Sequence, residues 1–298
     1  MTTRRGAIIG ASATLISACA QPALQSAPPP AWQPPASVKQ RLDAIETRIG
    51  GRLGVSALDT GSGHRFGHRA EERFANCSTF KWILAAAVLD SVAHGGLTLD
   101  QRVRYGPSDL LDYAPITRAR VGEGSLKVEE LCMAAVEQSD NTAANLLLVG
   151  VNGPAGLTSF VRAHGDSNTR FDRNEPSLNE NLPGEVRDTT LPNNMVSTMQ
   201  ILLLGDALSA ASREKLIGWM VACETGRARL RAGLPTDWRV GDKTGTGERG
   251  SFNDLAIAFP PNRAAILIAS YISGATASAD ICNAAHADVA RLVAETFA

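Results

Sequence analysis

The sequence is poor in histidine and cysteine, and neither residue occurs at a spacing typical of metal sites. Its five histidines include no H-E-x-x-H motif and no other recognisable pair of metal ligands. Its five cysteines include no C-x-x-C motif, and so few thiols in 298 residues do not make a disulfide framework. We therefore expect no metal, no other cofactor, and mostly buried free thiols.

An excess of charge of either sign is also missing. The formal net charge is −1 and the basic residues are scattered, so a nucleic-acid partner has no electrostatic basis. No second long apolar run follows the amino-terminal segment, so we expect no membrane-spanning helix. With 44% hydrophobic residues, the chain can bury a substantial core in one large or two medium lobes.

The amino-terminal segment is typical of an export signal. Arg4 and Arg5 precede an apolar run over residues 7–18, which is too short to span a bilayer, and small residues follow it. The arginine pair fits export of a folded chain by the twin-arginine route and fits an ordinary signal equally well. We predict a signal peptide over residues 1–20 and an exported, periplasmic protein.

Two processing sites compete at the end of this signal. I-S-A-C at 16–19 resembles a lipoprotein site that would leave a lipid anchor on Cys19, whereas A-C-A at 18–20 predicts cleavage after Ala20 and no anchor. The second site is slightly favoured. The proline-rich residues 21–37 that follow are predicted to form an extended tether.

Residue patterns after the tether predict an α/β (α+β) fold. An antiparallel sheet built from both chain ends is expected to be flanked by helices, with an all-helical lobe inserted between its halves. The patterns predict helices over 38–50, 82–90, 128–138, 142–150, 154–165, 195–208, 212–223 and 279–297. They predict a hairpin over 53–69 and strands over 238–245, 253–260 and 264–273.

These elements imply two lobes. The α/β lobe combines residues 38–76 and 223–298, and the helical lobe occupies 77–222. The helical lobe contains a long segment, 166–194, with neither helical nor strand periodicity, and its few apolar residues and its charges favour an ordered surface loop of functional importance. The active site is expected between the lobes.

The stretch F-A-N-C-S-T-F-K-W-I-L at 74–84 places Ser78 and Lys81 three residues apart in an apolar segment. Residues at i and i+3 share one face of a helix, so the hydroxyl and the amine can meet, and a lysine is costly to bury. Taken alone, the pair is better explained by an N-cap at Ser78 or Thr79 followed by a surface lysine.

Three further motifs follow, and each alone has an ordinary structural explanation. S-D-N at 139–141 fits a turn and an N-cap, E-P-S-L-N at 175–179 fits a solvated loop, and K-T-G at 243–245 fits a strand lysine before a bulge. Together with S-x-x-K, and in this order, they are very improbable by accident. The set resembles the class A serine β-lactamases over nearly all of the chain after the tether.

The resemblance implies a hydrolase that opens the β-lactam amide of penicillins and cephalosporins through an acyl-enzyme and confers antibiotic resistance. It makes Ser78 the nucleophile, Ser139 the donor to the ring nitrogen, and Glu175 the base that activates water. The base for acylation is either Lys81 or Glu175. Lys81 can serve only if burial, or positive charge such as that of Lys243, lowers its pKa.

The resemblance also implies how substrate is bound. The backbone N–H groups of Ser78 and Thr246 would form the oxyanion hole. The arginine for the substrate carboxylate is replaced by Phe252 at its usual position, and Arg229 matches the alternative source, although a surface arginine fits there too. The implied binding residues are Asn141, Asn179, Lys243, Thr244, Gly245, Thr246, Arg229 and Tyr113. Asn141 and Tyr113 are equally compatible with ordinary helix ends.

Two local features are implied in the same way. The long loop should be closed by an ion pair between Arg173 and Asp188, with a cis peptide bond from Glu175 to Pro176. In carbapenem-hydrolysing relatives, the cysteine before the nucleophile pairs with a cysteine two residues after K-T-G, and that position is Gly247 here. We therefore expect Cys77 to be a free, mostly buried thiol.

Two other functions share an acylated serine. A D-alanyl-D-alanine peptidase is the alternative if Glu175 is misplaced, and a β-lactam-sensing domain would remain acylated. Sensors usually need a membrane-spanning signalling module, for which the sequence offers no segment. The favoured interpretation is a monomeric hydrolase whose partner is a small β-lactam.

Overall fold

The computed structural model of the chain describes residues 1–2 and 32–298. The predicted signal peptide after its first two residues, the lipidation site at Cys19 and most of the tether lie outside the described residues. The first element among the described residues, helix α1 (Ala36–Ile49), begins at the end of the predicted tether.

The strands and helices are numbered in chain order. The strands are β1 (Arg52–Asp59), β2 (Arg65–His68), β3 (Phe74–Ala75), β4 (Arg102–Arg104), β5 (Ser125–Lys127), β6 (Thr189–Thr190), β7 (Arg239–Gly247), β8 (Ser251–Phe259) and β9 (Ile266–Ser273). The helices after α1 are α2 (Phe80–Ala93), α3 (Pro115–Ala119), α4 (Val128–Glu137), α5 (Asn141–Gly150), α6 (Gly153–Ala163), α7 (Pro192–Met199), α8 (Ala210–Val221), α9 (Leu230–Gly233) and α10 (Ala279–Thr296).

The main sheet is antiparallel and draws its strands from both ends of the chain. Its strand order is β2-β1-β9-β8-β7, and the register places Arg52 of β1 opposite Ser273 of β9. Helices α1 and α10 pack on one another and against this sheet, while α7 contacts β1 and β9. The predicted fold class, an antiparallel sheet flanked by helices, is confirmed.

Helix α2 forms the centre of the helical region. Its apolar residues surround the whole helix rather than one stripe, a pattern typical of a helix buried on all sides. Every residue from Phe80 to Leu89 is buried, and α2 contacts α4, α5, α6 and α8. Lys81, in its first turn, is therefore surrounded by core.

The helix ends follow the capping signals of the sequence. Gly50, at φ 63°, ends α1 in the left-handed conformation that glycine adopts without steric cost. Asp140 caps α5 by accepting a hydrogen bond from the N–H of Ala143 at 2.9 Å. Ser278 caps α10 through the N–H of Ile281.

Two details differ from the predicted pattern. The helix predicted over 195–208 changes at Met199 into a π-helical turn, Gln200–Leu204, and ends there. The short pairs β3–β6 and β4–β5 lie in or beside the region predicted to be helical. Strands of two or three residues leave no periodic signal, which is why the sequence pattern missed them.

Across residues 1–2 and 32–298, no single helix has the length and apolar character needed to cross a membrane. Helices α5 and α6, with a bend of 71° between them, meet both criteria only when they are taken together.

Candidate active site

Ser78 lies in a tight turn between strand β3 and helix α2. The turn, Cys77–Thr79, is 3-10 helical, and Cys77 has a positive φ of 45°, a conformation that non-glycine residues rarely adopt and that is often found at functional sites. Thr79 occupies the N-cap position of α2, but its Oγ1 donates to the carbonyl of Asn76 at 2.6 Å and makes no cap hydrogen bond. The interpretation of the motif as a side-chain N-cap followed by a surface lysine is therefore wrong, because Lys81 is buried.

Lys81 reaches Ser78 from inside the core. Its side chain is 0% exposed, and its Nζ lies 2.9 Å from Ser78 Oγ. The ammonium also donates to the carbonyl of Ser139 at 2.8 Å and to Asn141 Oδ1 at 2.5 Å. These bonds compensate for the loss of hydration of a buried charge. The sequence spacing of serine and lysine thus brings both groups to one point.

Glu175 approaches the same serine from the long loop. Its Oε1 accepts a hydrogen bond from Ser78 Oγ at 3.0 Å and lies 3.0 Å from Lys81 Nζ. Its Oε2 accepts one from Asn179 Nδ2 at 2.6 Å. The carboxylate is buried, so a buried base is within direct reach of the serine hydroxyl.

The position of Glu175 depends on contacts within and beneath the long loop. The bond from Glu175 to Pro176 is cis, and Arg173 Nε donates to Asp188 at 2.6 Å, so both predicted local features are confirmed. Asn145 of α5 binds the backbone of Glu175 twice, donating to its carbonyl at 2.9 Å and accepting from its N–H at 3.0 Å.

Sequence analysis missed Asn145. The only signal was its position four residues after Asn141, which places both side chains on the same face of α5. Asn141 binds Lys81 and Asn145 binds Glu175, so one helix face positions both candidate bases.

Ser139 links the two lysines. It has a positive φ of 58°, and its Oγ accepts hydrogen bonds from Lys243 Nζ at 3.0 Å and Lys81 Nζ at 3.4 Å. The adjacent Asp140 caps α5 and also accepts from Thr117 Oγ1 at 2.9 Å. The S-D-N motif therefore has the predicted structural role through its aspartate, while its serine faces the candidate site.

Burial is the main influence on both lysines. It lowers the pKa of Lys81, against the opposing effect of the Glu175 carboxylate. It lowers the pKa of Lys243 to about 8, and the positive charge of Lys81 adds to that shift. Removing a charge from water disfavours the charged form. Burial thus increases the fraction of Lys81 in the neutral form that can accept a proton from Ser78, and Lys243 is not needed for this shift.

Strand β7 forms the opposite wall, with Lys243, Thr244, Gly245 and Thr246 in sequence. Gly245 lies against the nucleophile turn, since a Cβ at that position would be 3.0 Å from the carbonyl oxygen of Asn76 and 3.1 Å from the Cβ of Cys77. The glycine therefore allows β7 to approach the backbone around Ser78. This approach brings Thr246 and Ser78 to the same cleft.

Arg229 lies beside the end of β7 and is mostly buried. Its guanidinium donates to Thr246 Oγ1 at 2.7 Å and to the carbonyl of Gly245 at 2.9 Å, and Asn283 accepts from its Nε at 2.9 Å. It also lies over the ring of Phe252, 5.7 Å from the centroid. The surface-arginine interpretation is wrong, because Arg229 is 8% exposed.

These side chains border a cleft of about 370 Å³, which we call the catalytic cleft. It is lined by Ser78, Tyr113, Ser139, Asn141, Asn179, Thr225, Arg229, Thr244, Gly245 and Thr246. Tyr113, at 51% exposure, borders the opening. Thr225 was not predicted, and its Oγ1 lies 2.6 Å from that of Thr244. Lys81, Lys243 and Glu175 lie deeper, in contact with the lining residues.

Cys77 is a free, fully buried thiol, as predicted. Its Sγ lies 3.3 Å from Ser251 Oγ, and burial raises its pKa to about 12. A thiol in this state is a poor nucleophile at neutral pH. Within the described part of the chain, no three His, Cys, Asp or Glu side chains form a group that could hold a metal ion.

Comparison with known proteins agrees with this arrangement. The model of the β-lactamase enzyme family matches residues 37–297. The chain is 47% identical over 267 residues to a β-lactamase of Amycolatopsis lactamdurans, covering 89% of this chain and 87% of that protein. It is 45% identical over 259 residues to the carbapenem-hydrolysing β-lactamase KPC of Klebsiella oxytoca, covering 87% and 88%.

Solved structures give the same result. The class A β-lactamase of the last common ancestor of Gram-negative bacteria superposes with a TM-score of 0.87 at 56% identity, covering 88% of this chain and 100% of that one.

Proposed function

This chain belongs to the class A serine β-lactamases, and from that premise we propose which of its residues carry out each step of hydrolysis. The chain hydrolyses the amide of β-lactams by a serine mechanism and confers antibiotic resistance. We propose that its substrates are penicillins and at least early cephalosporins. The observation that carries the assignment is the convergence of Lys81 Nζ and Glu175 Oε1 on Ser78 Oγ, at 2.9 and 3.0 Å.

In the acylation step, Ser78 Oγ attacks the lactam carbonyl carbon as its proton passes to a base. Lys81 and Glu175 are both within hydrogen-bond distance, so either can accept that proton. Ser139 then gives a proton to the departing ring nitrogen, and Lys243 or Lys81 replaces it through the contacts at 3.0 and 3.4 Å. The product of this step is an ester between Ser78 and the opened ring.

As Ser78 attacks, negative charge develops on the lactam carbonyl oxygen, and hydrogen-bond donors must surround that oxygen to stabilise the charge. We assign this oxyanion hole to the backbone N–H groups of Ser78 and Thr246. The close packing of Gly245 against the Ser78 turn supports the assignment, because it brings both backbones to one cleft. Each such donor typically contributes about 10² to 10³ in rate.

We assign binding of the substrate carboxylate to the carboxyl-terminal half of β7 and the neighbouring Arg229. Lys243, Thr244, Thr246 and Arg229 surround this end of the catalytic cleft. Arg229 carries a charge that is mostly shielded from water, and it is oriented by Asn283 and by two carbonyls, so it can bind a carboxylate without first reorganising. Asn141 and Tyr113 are assigned to the acylamino side chain at the opposite end.

Deacylation separates a hydrolase from the alternative functions. We assign it to Glu175, which would take a proton from the water that attacks the ester, with Asn179 holding the carboxylate. General-base catalysis of this kind is typically worth about 10² to 10⁴. A D-alanyl-D-alanine peptidase or a sensor would have no need of a buried carboxylate beside its serine.

The test is hydrolysis of a chromogenic cephalosporin by the parent, Ser78→Ala, Glu175→Ala and Glu185→Gln. Glu185 belongs to the same loop but pairs with Arg187, so it is the matched control. We expect steady turnover by the parent and by Glu185→Gln, none by Ser78→Ala, and one equivalent of product from Glu175→Ala. A one-equivalent burst from the parent would overturn the proposal in favour of a peptidase or sensor.

Class A β-lactamases are typically exported, and we propose that this chain is a periplasmic monomer released by cleavage after Ala20. Mass spectrometry of the secreted protein would test the cleavage, because acylation of Cys19 would leave a lipid-modified first residue. Light scattering would test the monomer.

A further inference from the structure

A second cleft, of about 550 Å³, lies behind the long loop. One side of it is formed by residues 181–187 of the long loop. The opposite side is formed by Gly51 and Arg52 at the start of β1, Ser273 and Gly274 at the end of β9, and Arg73 before β3. It shares no lining residue with the catalytic cleft, and the turn Ser177–Asn179 separates the two. We call it the arginine cleft.

Positive charge dominates its lining. Five arginines and two glutamates contribute, and both glutamates are already paired with lining arginines, Glu72 with Arg52 and Glu185 with Arg187. Such a lining attracts anions, and its concave shape concentrates the field. The volume falls within the range of sites for small molecules.

Arg73 differs from the other four arginines. Its Nη1 donates to the carbonyl of Asn168 and to Thr189 Oγ1, both at 3.0 Å, and no carboxylate among the described residues lies within ion-pair distance of it. The four others each have an acidic partner. A half-buried guanidinium with only neutral acceptors gains most from an added anion, since charge-assisted hydrogen bonds are about twice as strong as neutral ones.

The apolar side chains of the lining lie on the side of residues 181–187. Leu182, Pro183 and Val186, together with the nearby Leu178, line the cleft there, and Leu182 and Val186 are 38% and 44% exposed. They belong to the small set of large apolar side chains left exposed on the described chain. An apolar surface that faces cationic groups across a cleft suits a ligand with a hydrophobic body and one anionic group.

We propose that the arginine cleft binds small amphipathic carboxylates, with the carboxylate on Arg73 and the apolar body on Leu182 and Val186. This site is separate from the one that binds the β-lactam, and only the filled-cleft control of its test rests on the role proposed for Glu175.

The test is a titration of the ¹⁵N-labelled protein with 2-naphthoate, followed by backbone amide shifts. We expect the amides of Leu182 and of residues 184–187, which flank Pro183, to shift with a Kd of about 1 mM or below, as the usual affinity per ligand atom suggests for this size. The catalytic cleft also holds cationic groups, so the titration is repeated on the Glu175→Ala acyl-enzyme, in which that cleft is filled. Binding that persists there supports the proposal, and binding lost there overturns it.

Variants then test the contacts. Arg73→Gln removes the charge, and Val186→Glu places a carboxylate in the cleft from an exposed position that leaves the fold intact. Each is expected to raise the Kd tenfold or more, as is replacing 2-naphthoate by its neutral amide. Arg102→Gln is the matched control, because Arg102 also donates only to neutral acceptors, both on Ser125, but lies outside the cleft. An unchanged Kd for Val186→Glu, or for a folded Arg73→Gln, would overturn the proposal.

Discussion

Two walls of the catalytic cleft are held in place by different forces. The α2 wall consists of Ser78 and helix α2, whose residues Phe80–Leu89 are all buried in the core. The loop wall is the long loop 166–194, which carries Glu175 and Asn179 and buries few large apolar side chains. Hydrophobic packing is cooperative and non-directional, whereas a polar loop depends on individual hydrogen bonds.

Single polar residues therefore determine the shape of the loop wall. Asp166, buried at its start, accepts hydrogen bonds from Asn168 N–H, Thr169 N–H, Asn194 Nδ2 and Thr198 Oγ1 at 2.9 to 3.0 Å. Asp188, buried near its end, accepts from Arg173 Nε and from two backbone N–H groups.

Ser78 and Lys81 are thus tied to the core, and Glu175, to which we assign deacylation, is tied to a polar network. This difference predicts that the two steps can be impaired separately.

The largest effect is expected where the two walls meet, at the Lys81–Glu175 pair. Lys81→Met should lower the acylation rate by about 10² to 10⁴, because a proton-transfer group is lost. It should also cost about 3 kcal/mol of stability, because the fully buried Glu175 loses its cation. Stopped-flow acylation and chemical denaturation would measure the two losses.

The double variant Lys81→Met/Glu175→Gln is the control for that result. It removes both charges and should recover most of the lost stability while remaining inactive. A double variant as unstable as Lys81→Met would show that shape, rather than charge pairing, joins the walls.

The second largest effect is expected from a variant that disturbs only the loop wall. Asn145→Ala leaves the N–H and carbonyl of Glu175 without their partners, which should cost about 1 to 3 kcal/mol. Displacement of the carboxylate should slow deacylation by about 10², since catalytic geometry is sensitive to small shifts. Acylation should change little, because Lys81 stays within 2.9 Å of Ser78 Oγ and can take its proton. The measurement is the amplitude of the acyl-enzyme burst, with Asn174→Ala, in the exposed part of the loop, as the control. Equal losses in both steps would contradict a separable loop wall.

The α2 wall was the more predictable of the two. A serine and a lysine at i and i+3 share a helix face wherever the helix forms, so local spacing alone brings them together. The sheet was predictable for a similar reason, because alternation and turn residues mark its strands. The loop wall has no such period, and the placement of Glu175 came from the family resemblance. Its main support, Asn145, lies thirty residues away in sequence and was missed.

Burial was the property least visible in the sequence. Motif order located Lys243 and the family resemblance located Arg229, but whether either is exposed depends on how β7, β8 and α10 pack around them. Thr225 was missed for the same reason, since only the fold brings it to Thr244. The arginine cleft is also a product of tertiary packing, because residues 181–187 of one side are more than about eighty residues away in sequence from every named residue of the opposite side.

The third largest effect is expected on the pH dependence of activity, through Lys243, which is as buried as Lys81. Its pKa of about 8 predicts that kcat/KM for an anionic cephalosporin falls about tenfold per pH unit above 8, as the charge that binds the carboxylate is lost. Lys243→Arg should remove this decline, because arginine stays charged. A parent profile that is flat up to pH 10 would contradict the proposed role.

The contribution of Lys243 to the free energy of unfolding should rise with pH, whereas kcat/KM falls. The unfolded chain holds the Lys243 proton up to about pH 10.5 and the folded chain only up to about pH 8, so the unfolded state binds more protons between these values. The parent should therefore become more stable relative to Lys243→Met as pH rises through this window, by at most about 3 kcal/mol. Denaturation at pH 7 and pH 10 would measure the difference.

The smallest effect on activity, and the sharpest contrast between the walls, is expected from thiol reagents. Cys77 supports the α2 wall, is fully buried, and has a pKa raised to about 12 by burial, so it should react only when the core opens. A cysteine introduced in the loop wall by Ser177→Cys occupies an exposed position beside Glu175 and should react at least about 10³-fold faster, as expected when modification needs no unfolding. Peptide mapping after timed labelling with iodoacetamide would measure both rates, and the parent should keep its activity throughout. Comparable rates at the two positions would show that the core behind Ser78 opens as readily as the loop, and that the two walls do not differ in the way their contacts indicate.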